Sequence, residues 1–179
     1  MKTILLFSFC CSLFLNVQAQ NLQSFKGANR KYGYKNSKGD TVIQAQYDIA
    51  YKFSEGLAAV ELDNQCGYID PTGKLVIPYR FGSAGNFSQG FASVELNGKW
   101  GFINKAGKNV IPYQYEMAGE FHEGLAAVVL QNKYGFINKA GKIIIPCKYD
   151  YVFDFVAGKA AVELGKRKFY IGKTGSKIK

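Results

Sequence analysis

The chain has 179 residues, 23 Lys and Arg against 13 Asp and Glu, and a formal charge of +10, a balance that favours anionic partners or surfaces and also keeps a protein soluble. Its single histidine excludes a multi-histidine metal site, and of its four cysteines the two outside the N-terminal apolar run, Cys66 and Cys147, cannot define a disulfide framework and stand at different positions of the repeat. Beyond the N-terminus no apolar segment is long enough to cross a membrane as a helix.

The chain opens MKTILLFSFCCSLFLNVQAQ, one Lys followed by an apolar run from Ile4 to Val17. Val17 and Ala19 put small residues where a signal peptidase inspects them, so residues 1–19 read as a signal peptide, cleaved to leave Gln20 first. The run is shorter than the ~20 residues of a membrane span. Cys10 and Cys11 lie inside it, preceded by Phe9 and Cys10 where a lipidation signal wants a small residue, so lipidation is the weaker alternative. The expected destination is export to the periplasm, the cell surface or the medium. In an oxidising compartment only Cys66 and Cys147 then remain, expected as two small apolar side chains.

From Tyr32 onward the sequence repeats. KWGFINKAGKNVIP, beginning at Lys99, returns 34 residues later as KYGFINKAGKIIIP with 11 of 14 positions identical. Glycines recur at 33, 67, 101 and 135, a second set at 39, 73, 107 and 141, and a third at 56, 90, 124 and 158. Aromatic residues recur at 47, 81, 115 and 149 and Phe at 53, 87, 121 and 155; a broken fifth copy is FYIGKTGSKI, Phe169 to Ile178. Self-similarity at such a period is the mark of a repeat architecture.

Each copy resolves into three short strands. Leu125 to Leu130 and Trp100 to Asn104 alternate with period two. Asn97-Gly98 and Gln131-Asn132 read as one tight turn, and Lys105 to Lys108, with Gly107 as a left-handed residue, as another. Two tight turns in succession make an antiparallel meander and disfavour a parallel β-helix. The predicted fold is all-β: a single domain over 20–179 of five antiparallel three-stranded meanders, at about 22–44, 57–78, 91–112, 125–146 and 159–179. Connectors of about a dozen residues, such as Tyr113 to Gly124, carry recurring aromatics that predict packing back on the sheets. The chain starts and stops where a meander does, and its end copies are degenerate, as caps of an open solenoid-like array would be. A closed five-bladed β-propeller is the alternative.

KWGFINKAGK, EGLAAV and the Tyr-Asp pairs Tyr47-Asp48 and Tyr149-Asp150 together resemble the WG-containing repeat family, β-rich units found in tandem in exported or surface proteins of bacteria. The resemblance runs from Tyr32 to Ile178. It implies tandem repeats, export and a binding or scaffolding role, with no established enzyme activity. The chain departs from the pattern at Cys66, where an aromatic is usual, at Lys35, where Ile is usual, and in the truncated fifth copy.

An active site gathers unlike groups, whereas a repeat array spreads like groups evenly. His122 stands alone beside Glu120 and Glu123, and Glu61, Glu95 and Glu163 recur as a solvated ladder. GKTGS, Gly172 to Ser176, lacks the glycine a phosphate loop requires, since Arg167 stands there, and no helix follows it. Asn86-Phe87-Ser88 fits a glycosylation sequon, but Phe87 is a recurring, packed position. No catalytic residue, metal or cofactor is expected.

Two features remain. Lys105, Lys108, Lys139 and Lys142 sit at equivalent turns, with Lys74 among them, and Lys99 and Lys133 at the other hairpin junction, so stacking would align basic rows able to track an anionic polymer. Alternatively the lysines only protect strand edges. Trp100 and Tyr134 head an aromatic row that stacks on a ligand if exposed; the Phe and Tyr column beside it, Tyr34 to Phe136, reads as core. The reading is a monomeric, non-enzymatic exported repeat protein binding a protein or an anionic glycan or other envelope polymer, in preference to nucleic acid. Its rivals are an envelope enzyme using Asp150, Asp154 and Glu120, and a plain structural spacer.

Overall fold

The computed structural model describes residues 22–178, which form strands and turns with no helix, so no helix among them could cross a membrane. The signal-peptide reading over 1–19, with Cys10 and Cys11, lies outside the described residues. Five antiparallel sheets follow one another in chain order, each a meander whose neighbours in space are neighbours in sequence. The first has the three expected strands, Gln23–Lys26, Tyr32–Lys35 and Thr41–Tyr47. The other four differ from the expectation by one strand, which the connector adds at the edge: Ile49–Ala50, Ser83–Ala84, Met117–His122 and Tyr151–Val152. A long strand edge would otherwise stay unpaired, and the connector closes it with its own backbone.

The turns follow from local chemistry. Asp63-Asn64, Asn97-Gly98 and Gln131-Asn132 each carry two successive positive φ angles, 52° and 60°, 54° and 76°, and 52° and 57°. That is the type I′ geometry whose twist matches antiparallel strands, and Asn, Asp and Gly adopt it most readily. In the second hairpin the Asn104 side-chain oxygen accepts from the amides of Ala106 at 3.1 Å and Lys108 at 3.0 Å, while Gly107 takes φ 73°. Asn36, Asp70 and Asn138 repeat the arrangement.

The glycines at 67, 101 and 135 answer to a close backbone approach. The pairing of the second and third strands shifts register across each of these glycines and again just after the aromatic residue that follows it, Tyr68, Phe102 or Phe136. A Cβ at Gly101 would stand 2.7 Å from the Ile111 carbonyl oxygen, and one at Gly135 2.5 Å from that of Ile145. In the fifth sheet the third strand is only Lys177–Ile178, and Phe169 fits where its counterparts must be glycine.

Each of the three inner sheets packs one face on the sheet before it and the other on the sheet after it, and the first and fifth sheets pack on one side among the described residues. Ala58, Val60 and Ile69 of the second sheet close on Tyr34, Ile43 and Tyr47 of the first, and three further clusters repeat this down the array. The connector Phe meets the ring of the preceding unit each time: Tyr34–Phe53 at 4.8 Å, then Tyr68–Phe87, Phe102–Phe121 and Phe136–Phe155 at 4.9 Å. Each fully buried side chain of this size contributes about 1.5–3 kcal/mol. Tyr34 and Tyr68 reconcile burial with a hydroxyl by donating to the carbonyl oxygens of Tyr51 and Gly85, both at 2.7 Å. Among the described residues no buried cluster joins the fifth sheet to the first, so the array is open rather than a closed ring.

Candidate functional site

The lysines anticipated as basic rows at the two hairpin junctions divide into paired and unpaired groups. Lys105 sits 3.2 Å from the Glu55 carboxylate and donates to the Glu55 carbonyl oxygen at 2.8 Å. Lys173 makes the equivalent pair with Glu123 at 3.0 Å. Lys139, whose acid would be Gln89, lies instead over the Phe91 ring at 5.7 Å. At the other junction Lys133 pairs with Asp150 and Lys31 with Asp48, each at 2.5 Å. These carboxylates also cap backbone: Glu55 accepts from the Gly90 amide, Asp150 from Gly165 and Asp48 from Asp63. The Lys133 ammonium holds the Asp150 carboxyl below the usual carboxylate range, as Lys173 does Glu123. For Glu55 burial pushes upward, and Lys105 with the Gly90 amide outweighs it. Such lysines brace one unit against another.

Lys74, Lys108 and Lys142 are different. They occupy one position of the repeat, their amides complete the Asp70, Asn104 and Asn138 turns, and their side chains are exposed with no ion pair among the described residues. Lys99 is likewise exposed and outside any ion pair among those residues.

The aromatic column Tyr34, Tyr68, Phe102 and Phe136 is buried, at most 1% exposed, as its spacing implied. Trp100 is half-buried against the cluster between the third and fourth sheets. Tyr134 is likewise half-buried, against the cluster between the fourth and fifth sheets, and in addition lies among other rings. It meets Tyr151 edge-on at 5.4 Å and 62°, and Tyr151 meets Phe153 at 5.2 Å and 79°. The Tyr134 hydroxyl stands 3.9 Å from the Met117 sulfur. With Asp154 these residues line a cavity of about 230 Å³ between the connectors of the fourth and fifth units. Asp154 is paired at 3.5 Å with His122, at the same edge. On the far side of Phe153 a hollow of about 580 Å³ runs past Val156 to Tyr170.

Sequence reasoning missed Met117, Tyr151 and Phe153. Their positions vary from copy to copy, Ile49, Ser83, Met117, Tyr151 in one case and Tyr51, Gly85, Gly119, Phe153 in the other. The readable signal was the reverse of conservation within the repeat: a ring in the last connector where two others hold glycine.

The remaining candidates are bound into structure. Glu120 accepts from the Asn86 side chain at 2.8 Å, so the sequon asparagine faces inward beside the buried Phe87. Gly172 to Ser176 is a hairpin turn closed by a Gly172 amide to Ser176 carbonyl bond at 2.9 Å. Cys66 and Cys147 are both free, and burial pushes the Cys66 thiol up to about 11. Among the described residues no three His, Cys, Asp or Glu side chains converge to hold a metal ion.

A family model described as WG containing repeat matches the chain four times in tandem, over residues 32–66, 67–100, 100–134 and 134–167. No curated protein matches. Among solved structures, one described as a eukaryotic initiation factor is similar to 87% of this chain with a TM-score of 0.55 at 13% identity, which bears on fold alone. This chain spans 50% of that one's length. A plant lectin with two metal binding sites, from Cicer arietinum, aligns over 71% of this chain and 86% of its own at 10% identity, with a TM-score of 0.33.

Proposed function

The chain belongs to the family of the WG containing repeat, and from that premise we propose that it is a non-enzymatic, exported, monomeric repeat protein whose stacked sheets bind an anionic cell-envelope polymer. The observation that carries this reading is the column Lys74, Lys108 and Lys142. One exposed cation in each of the three inner units, at the turn position held by Asp40 in the first unit and Ser176 in the fifth, suits a ligand that itself repeats a negative charge. The bracing lysines Lys105, Lys133 and Lys173 are spent on internal carboxylates and add little to that field. A non-enzymatic role is supported by the acids in question. Asp150, Glu120 and Asp154 are engaged separately, with Lys133, Asn86 and His122. Export rests on the leader pattern of residues 1–19.

The test compares the chain with its Lys74→Gln, Lys108→Gln, Lys142→Gln triple variant on immobilised anionic polysaccharides at low and high salt. Affinity is expected to fall about tenfold in the variant, and high salt should abolish most of the difference. Binding that ignores both salt and the three substitutions, or no binding to any anionic polymer at low salt, would remove the proposal.

A further inference from the structure

We propose that the cavity between the fourth and fifth connectors is a site for a quaternary or methylated ammonium group. It does not depend on the lysine column, which lies on other residues and has the opposite charge preference. The walls are the rings of Tyr134, Tyr151 and Phe153, the Met117 thioether and the Asp154 carboxylate. A cation set against aromatic faces is attracted by their quadrupoles, and here Met117, Tyr151 and Phe153 are about half exposed, so the attraction is that of a partly hydrated site.

The ring geometry selects the ligand. Sugars stack on a flat platform, but these rings meet edge to face at 62° and 79°, so they offer no single plane for an extended ligand and suit a compact group better. A cavity of about 230 Å³ is smaller than the ~300–1,000 Å³ of sites that enclose a drug-sized ligand, so it suits a head group. Met117 contributes a soft, polarizable surface, and Gly119 leaves the space open: a Cβ there would approach only Ala127, at 3.8 Å. A primary ammonium is strongly hydrated and gives up more on entering such a pocket than a methylated one.

Charge points the same way. The chain is strongly basic, yet the connectors at 113–124 and 147–158 carry Glu116, Glu120, Glu123, Asp150 and Asp154 against Lys148 alone. Glu116 is taken up by the amides of Gln131 and Asn132, Glu123 by Lys173 and Asp150 by Lys133. Asp154 is the carboxylate at the cavity, its side chain 50% exposed and paired only with His122, so it can complement a bound cation.

The experiment is calorimetric titration of the full chain with choline and tetramethylammonium. Ethanolamine, the neutral choline isostere 3,3-dimethylbutan-1-ol and a neutral oligosaccharide serve as comparisons. Choline and tetramethylammonium are expected to bind saturably, the isostere and ethanolamine at least about threefold more weakly. Asp154→Asn should weaken choline about threefold and Tyr151→Ala about tenfold. Phe153→Gly, which installs the residue that Gly85 and Gly119 supply in two other units, should weaken it similarly with the fold intact by circular dichroism. Absence of saturable choline binding, equal affinity for the neutral isostere, binding of the oligosaccharide in its place, or full affinity in Phe153→Gly would each overturn the assignment.

Discussion

The fourth and fifth sheets occupy successive places in one array, yet equivalent positions on their outward faces differ in chemistry. Phe136 is 1% exposed beneath Phe155, whereas Tyr170, its counterpart, is 51% exposed because no sixth unit lies on it among the described residues. Leu125 becomes Lys159 and Tyr134 becomes Lys168, and the Lys159 ammonium lies 5.0 Å over the Tyr170 ring. The far side of the first sheet repeats the device: Lys35 stands where Ile69, Ile103, Ile137 and Ile171 are fully buried, and it lies 4.5 Å over Phe25. A residue in a stacked repeat answers to two neighbours; where the described residues supply one neighbour, a lysine covers the apolar surface with its stem and leaves its charge in water.

The largest contrast should come from truncating the two rings. Phe136→Ala is expected to cost about 3–5 kcal/mol in urea unfolding and Tyr170→Ala less than about 1 kcal/mol. Equal losses would mean that Tyr170 is covered in solution. The glycine column sharpens the comparison next. Gly135→Ala should cost about 1–3 kcal/mol, since the Ile145 carbonyl blocks its Cβ, while Phe169→Gly should also destabilise, by about 1 kcal/mol, although it restores the residue the other copies share. A gain in stability for Phe169→Gly would show that the bulged third strand extends over the fifth sheet.

The smallest effect concerns acid. Asp150 has a folded pKa held below its unfolded value, so its contribution is full above the ordinary carboxylate range and disappears as pH falls through the depressed value. Asp150→Asn should therefore lower the unfolding midpoint at neutral pH and match the parent chain in strong acid. A difference that persists in acid would assign the loss to the Gly165 amide contact instead of the charge.

The burial of the connector Phe residues was readable because they recur, and recurrence at one period is what a shared packing position produces: Phe87, Phe121 and Phe155 are at most 2% exposed. The short connector strands were not readable, since three of the four are two residues long and take their order from the sheet they join. Trp100 and Tyr134 looked alike in sequence and diverge in the structure. Only Tyr134 has rings at the following connector, Tyr151 and Phe153, where Trp100 has no equivalent pair.

The sequence by itself determined the period, the two tight turns of each unit and the buried aromatic column, because each depends on residues close in the chain or on a pattern copied from unit to unit. Only the tertiary structure decided which lysines are neutralised and where unlike side chains meet. Glu55 and Lys105 lie 50 residues apart, and Tyr134 and Tyr151 belong to different sheets. Such contacts arise from the stacking of one unit on another, where the side chains that differ between copies, and not those that repeat, set the local charge and shape.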